Sequence, residues 1–126
     1  MKSNEDPAGL CMNTGFGFVE IEGVTYTHDI VIHTDGTISK RKKKKSKELK
    51  GEYGHTPLSG PELDFIQGEN PDVIYIGTGQ YGSLPLTSDA ETLLDQYKTI
   101  IEATPRVISE LPAEKRRYVA ILHVTC

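Results

Sequence analysis

The chain has 126 residues, a net charge of −4 and only two cysteines. One domain of that length buries roughly two-thirds of its unfolded surface, so neither a disulfide scaffold nor a structural metal is required. Cys11 and Cys126, near opposite ends, predict a reducing, cytoplasmic setting. The polar opening Ser3-Asn4-Glu5-Asp6 predicts no signal peptide, and no apolar run approaches the roughly 20 residues of a spanning helix.

The charge is uneven. Lys40 to Lys50 holds eight basic residues and one acid, Glu48, a net +7 that leaves −11 for the rest of the overall −4. An acidic body therefore carries a basic tongue.

In chain order, residues 1–14 lack periodicity and read as a flexible tail ahead of a single α/β domain over 15–126. Phe16 to Glu22 predicts a first strand, turned at Glu22-Gly23. Val24 to His33 predicts a second, with Val24, Tyr26, His28, Ile30 and Ile32 on one face. His28 reads as a hydrogen-bonded core or rim histidine. Asp35-Gly36 predicts a tight hairpin into a third strand, Thr37 to Ser39, completing an antiparallel meander. After the tongue, Ser59 and Glu62 form a capping-box pattern, with Pro61 in the first turn of a short helix ending near Gln67-Gly68.

Val73-Ile74-Tyr75-Ile76 is apolar at every position, which predicts a central strand covered on both faces. It runs into Gly77-Thr78-Gly79-Gln80-Tyr81-Gly82, at the end of the strand where α/β sheets tend to hold ligands. A second capping box, Ser88 with Glu91, predicts a helix to about Ala103 with a stripe of Leu93, Leu94, Tyr97, Ile100 and Ile101. Thr104-Pro105 predicts its stop, and Val107-Ile108 a strand parallel to the central one. Tyr118 to Val124 predicts a final buried strand.

Gly77, Gly79 and Gly82 match the spacing of a dinucleotide fingerprint, but Ser83 to Thr87 intervenes before any helix, and no acid lies about 20 residues further on. The remaining readings are a turn that needs small residues for close packing, or a small anion held by the loop's N–H groups. The tongue lacks interleaved aromatic residues, and the acidic body repels phosphate, so nucleic acid is not expected. The tongue reads either as a solvated, flexible loop or as a segment whose Arg41, Lys43 or Lys47 folds over the glycine loop and supplies charge to an anionic ligand or acidic partner. His123 and Cys126 lie three apart, on opposite faces of a strand, so no shared metal is expected. No cofactor is predicted.

Four ordered motifs carry a resemblance: Asp35 to Ile38 through Arg41, Lys43 and Ser46; Gly54-His55-Thr56-Pro57-Leu58-Ser59; Ile76 to Gly82; and His123-Val124-Thr125-Cys126. From about Gly15 onward the chain resembles the small archaea-to-mammal domain family that includes the adipogenesis-associated domain protein. A mitochondrial complex I assembly factor is a more distant relative. The resemblance implies a three-layer α/β fold, with a mixed central sheet, flanking helices and a surface hairpin, and no established enzymatic activity. The chain departs from the family at Leu111 to Arg117, which has room for barely two turns where members often carry a longer helix.

The sequence therefore points to a non-catalytic binding or assembly-assisting domain with an unidentified protein partner. The alternative is a small-anion or metabolite-binding protein, or an enzyme not yet described. If the last strand lies beside the central one and parallel to it, one polar pocket is expected. It would gather Ser46, His55, Ser59, Gly77, Thr78, Gly79, Gly82, His123, Thr125 and Cys126, with Arg41 or Lys43 at its rim. The competing expectation is that His123 and Thr125 merely satisfy the backbone of the glycine loop.

Overall fold

The structure is a computed structural model that describes residues 11–43, 46 and 56–126. Two sheets organise it. The first is an antiparallel meander of β1 (Met12–Gly15), β2 (Phe18–Ile21) and β3 (Val24–Tyr26). Ordered structure thus reaches into the stretch expected to be tail, because Met12 to Gly15 pair with Phe18 to Ile21. Only two residues link β2 to β3, Glu22 and Gly23, and both have positive φ (51° and 81°), the twist that suits a two-residue hairpin.

The second sheet has five strands: β4 (Ile30–Ile32), β5 (Ile38–Lys40), β6 (Val73–Gly77), β7 (Thr99–Glu102) and β8 (Tyr118–Leu122). Their order is β5-β4-β8-β6-β7. β4 is antiparallel to β5 and β8, whereas β6 is parallel to β8 and β7, so the sheet is mixed. β4 and β5 join through the expected Asp35-Gly36 turn, where Gly36 takes φ 88° and the Asp35 carboxylate accepts from the Thr37 N–H and hydroxyl. The central strand, its burial and the parallel neighbour β8 all match the sequence expectation.

Three expectations are corrected. The run from Val24 to His33 is two strands in different sheets, because the chain breaks at residues 27–29 and turns Asp29 inward. Thr37 to Ser39 therefore contributes to the five-stranded sheet and not to the meander, and His28 is exposed. The helix after the glycine loop, α2 (Ser88–Leu94), ends a turn and a half before Ile100. The β-branched Thr99-Ile100-Ile101 instead forms β7, parallel to β6, so the βαβ unit exists but closes earlier than expected. Thr104-Pro105 starts α3 (Thr104–Glu110), since proline suits a first helical turn as well as it ends a helix, and Val107-Ile108 is helical.

The capping patterns also shift. Thr87, one residue early, caps α2 by accepting from the Ala90 N–H. Ser59 makes no side-chain cap for the 3₁₀ turn Gly60–Leu63, which precedes α1 (Ile66–Glu69).

The five-stranded sheet is the middle layer. Val73, Tyr75, Ala120, Leu122, Ile30 and Ile32 face Val19 and Ile21 of the meander together with Val107, Ile108 and Leu111. Ile74, Ile76, Val119, Ile121 and Val31 face Leu58, Leu63, Ile66, Ala90 and Leu94 on the other side. The short segment Leu111 to Arg117 holds a 3₁₀ turn over Leu111–Ala113, with Leu111 buried. No helix among the described residues is long and apolar enough to cross a membrane.

The expected helix would have buried Ile101, which the edge strand instead exposes, in contrast to Ile74 of the central strand. Ile74 is fully buried, while Ile101 is 49% exposed on the edge strand. Ile74→Ala is expected to cost about 2–5 kcal/mol and Ile101→Ala under about 1 kcal/mol, read from urea unfolding midpoints.

Candidate functional site

At the carboxyl ends of β6 and β8 the chain gathers most of its polar interior. His123 follows β8 directly, and its N–H donates to the Gly77 carbonyl at 2.9 Å. Its ring Nδ1 lies 2.7 Å from Asp29 Oδ2, and its Nε2 lies 3.2 Å from Thr125 Oγ1. Asp29 Oδ1 accepts from the Val124 N–H at 3.0 Å. Burial alone would raise the Asp29 pKa. The hydrogen bond and charge of His123, the Val124 N–H and the charge of Lys43 outweigh it and hold the carboxyl well below its ordinary 3.8.

Arg41 lies inside the protein, 4% exposed, and not at a rim. Its Nε and Nη2 donate to the two oxygens of Glu62 at 2.7 and 2.9 Å, and Nη1 donates to Asp29 Oδ2 at 2.9 Å. Nη2 also reaches the carbonyls of Pro57 (2.7 Å) and Thr56 (3.3 Å). Burial would lower the guanidinium pKa, but Glu62 and then Asp29 raise it. Ser46 donates to Glu62 and shares a hydrogen bond with the Ser59 hydroxyl. The sequence pattern that read as a capping box thus serves tertiary structure, because Glu62 turns to Arg41 and Ser59 to Ser46. Lys43 is half-exposed, its Nζ 3.6 Å from Asp29.

The glycine loop packs against the last residues of the chain. A Cβ on Gly79, which has φ 104°, would lie 2.2 Å from the backbone of Cys126, and one on Gly77 would lie 2.8 Å from Thr104 Oγ1. Gly82 has φ 75°, but a Cβ there would make only ordinary van der Waals contact, 3.6 Å from Thr78 Oγ1. The Thr78 N–H donates to Glu102, the Gly79 N–H to Thr104 Oγ1, and the Gln80 N–H to Thr125. The Tyr81 and Ser83 N–H groups share one backbone oxygen of Cys126, and those of Gly82 and Leu84 donate to Gly79 and Thr78. Every N–H from Thr78 to Leu84 is therefore spent on the chain's own oxygens. Thr104 Oγ1 in turn donates to the His123 carbonyl at 2.7 Å.

Of the expected pocket residues, Gly77, Thr78, Gly79, His123, Thr125 and Cys126 come together, and Arg41, Lys43, Ser46 and Ser59 adjoin them through Asp29 and Glu62. His55 lies outside the described residues, as do Lys44, Lys45 and 47–54. Sequence reasoning missed Asp29, Glu62 and Thr104. Asp29 carried one signal, an acid in mid-strand. Thr104 carried none, since its role depends on α3 meeting the glycine loop. Among the described residues no cluster of His, Cys, Asp and Glu is arranged to hold a metal.

Asp29, His123 and Thr125 line up as acid, base and hydroxyl. Two features oppose triad chemistry. The Asp29 carboxylate is also committed to Arg41, and the neighbouring N–H groups that an oxyanion would need are filled.

This arrangement defines a class: a small α/β domain with a five-stranded mixed sheet between a β-meander and a helical layer, its carboxyl edge closed by its own chain. Solved structures share it. The chain is similar to a conserved hypothetical protein from Pyrococcus horikoshii OT3, with 35% identity and a TM-score of 0.81 over 92% of this chain and 99% of that one. It is similar to the protein MT938, with 30% identity and a TM-score of 0.76 over 94% and 100%. A Bordetella pertussis protein described as a Mth938-like domain shares the fold, at 23% identity and a TM-score of 0.53 over 98% and 92%. The chain belongs to the Mth938-like family. No protein-family model and no curated protein matches it.

Two outcomes follow from the cluster. Arg41→Met strands two buried carboxylates and is expected to cost about 3–5 kcal/mol in chemical denaturation. Arg41→Lys should recover only part of that, because a point charge cannot replace the fork. The second concerns acid. A carboxylate with a depressed folded pKa stabilises the fold above its unfolded value and loses that contribution as pH falls through the folded one. Urea midpoints should hold level down to about pH 4 and then drop, and the drop should be smaller in Asp29→Asn, which starts less stable.

Proposed function

We propose that this is a non-catalytic binding domain of the cytoplasm that assists protein assembly. The observation that carries this reading is saturation: the loop N–H groups and the buried guanidinium, the two devices that would hold an anionic substrate, are occupied by the protein's own acceptors. The resemblance of the four motifs to the family of the adipogenesis-associated domain protein, with a complex I assembly factor more distant, supports the same reading. The polar cluster then acts as scaffolding, and binding falls to the surface around it.

A second reading has one observation in its favour. The Asp29–His123–Thr125 chain suits a small-anion or metabolite-binding protein, or an enzyme, in which the last residues vacate the glycine loop. A thermal-shift panel of anionic metabolites separates the two. A ligand at 100 times its Kd stabilises by about 2.7 kcal/mol, several degrees of Tm at this size. Flat curves across the panel are expected, and a reproducible rise of several degrees would replace the first reading with the second.

A further inference from the structure

A cavity adjoins the cluster just described on its sheet-edge side. It encloses about 130 Å³ between the β5 edge of the sheet and α1. Its floor is a row across three strands, because Ile121 pairs with Val31 and Val31 with Ser39. Side-chain size falls along that row toward the edge, and the small Ser39 leaves the gap. Phe65 closes the side nearest the helix, and the Arg41–Glu62 pair closes one end. The volume is about that of a cavity that admits one benzene-sized apolar group, roughly 150 Å³.

The strand at its mouth has an open side. β5 ends the strand order, and among the described residues nothing pairs with its outer edge. The His33 N–H donates to the Thr37 carbonyl and the Arg41 N–H to that of Asp29. By antiparallel alternation, the Ser39 backbone faces β4 while those of Ile38 and Lys40 face outward. The exposed Lys40, Lys42 and Lys43 give this edge positive charge, at the start of a stretch that carries +7 on an otherwise acidic chain.

We propose that the outer edge of β5 and the cavity behind it dock an extended acidic segment of a partner protein. The segment adds as a strand to Ile38–Lys40, and its residue opposite Ser39 extends the Ile121–Val31–Ser39 row, placing one apolar side chain in the cavity. The flanking acid opposite Lys40, on the alternate face, meets that lysine, and an acid two residues further on meets Lys42. Lysine on an edge strand also deters unwanted pairing, but deterrence does not require a side-chain-sized cavity behind the edge. The proposal rests on the binding reading above and names its site.

The test uses the full chain, isotopically labelled, and synthetic nine-residue peptides carrying one Leu, Ile, Val or Met between glutamates. Expected are chemical-shift changes centred on the amides of Ile38 to Lys40 and the methyls of Val31 and Ile121. Replacing the apolar residue by Ser, or the glutamates by Lys, should weaken binding about tenfold or more. The surface double variant Lys40→Glu/Lys42→Glu should do the same with an unchanged melting temperature. Absence of binding by every peptide at millimolar concentration overturns the proposal. So do shifts centred elsewhere, such as at Phe16 and Tyr81, which would leave the binding reading intact. Concentration-dependent broadening of the β5 amides without peptide would assign the edge to a second copy of the chain. Occupation of the cavity by butyrate, in preference to the peptides, would assign it to a small anion. Either result overturns the proposal.

Discussion

Two carboxylates, Asp29 and Glu62, are buried within reach of a single guanidinium, and much of the structure depends on that arrangement. Neither acid can stay ionised inside without a cation, and one planar fork reaches both while also taking the carbonyl of Pro57. Such clusters add little net stability over a well-packed apolar core. Their effect here is on geometry. Arg41 follows β5, Asp29 precedes β4, and Glu62 lies in the 3₁₀ turn that leads to α1, so one side chain fixes the sheet edge relative to the helical layer. His123 extends the linkage to β8.

The same cluster explains why the sheet is divided as it is. Residues 24–33 have the alternation of one long strand, and nothing local forbids it. Asp29 must nevertheless point inward to accept from Arg41, His123 and Val124, and that requirement ends β3 before it and starts β4 after it. The meander can then leave the plane of the larger sheet and cover its face through Val19 and Ile21.

Where the sequence was legible, a single physical signal had one solution. Val73 to Ile76, apolar throughout, has to be covered on both faces, and Asp35-Gly36 suits a tight turn and little else. The failures share a different cause. Thr104-Pro105 fits the end of one helix or the start of the next, and Ile100 and Ile101 continue a helical stripe as readily as they form a strand. The sheet decides, because β6 has an open side for Ile74 to Gly77 to pair with residues 99–102. The candidate site shows the same division. Residue types and their convergence at one sheet edge were readable, but whether Arg41 or the glycine-loop N–H groups were free was not. Saturation depends on partners distant in sequence, such as Cys126 for Tyr81 and Glu62 for Arg41.

The position of β8 has a consequence for how the chain is made. It is the middle strand, bonded to β4 on one side and β6 on the other, and it comes from the last tenth of the sequence. The β4–β5 hairpin and the β6–α2–β7 unit are synthesised well before the strand that joins them. Until residues 118–122 arrive, each half presents an unpaired edge and an uncovered apolar face at what will become the centre of the sheet. Closing it also brings together segments far apart in the chain, which makes the last step slow. The sheet is completed at its middle and not at an edge, and the nascent chain carries two exposed seams until residues 118–122 are inserted.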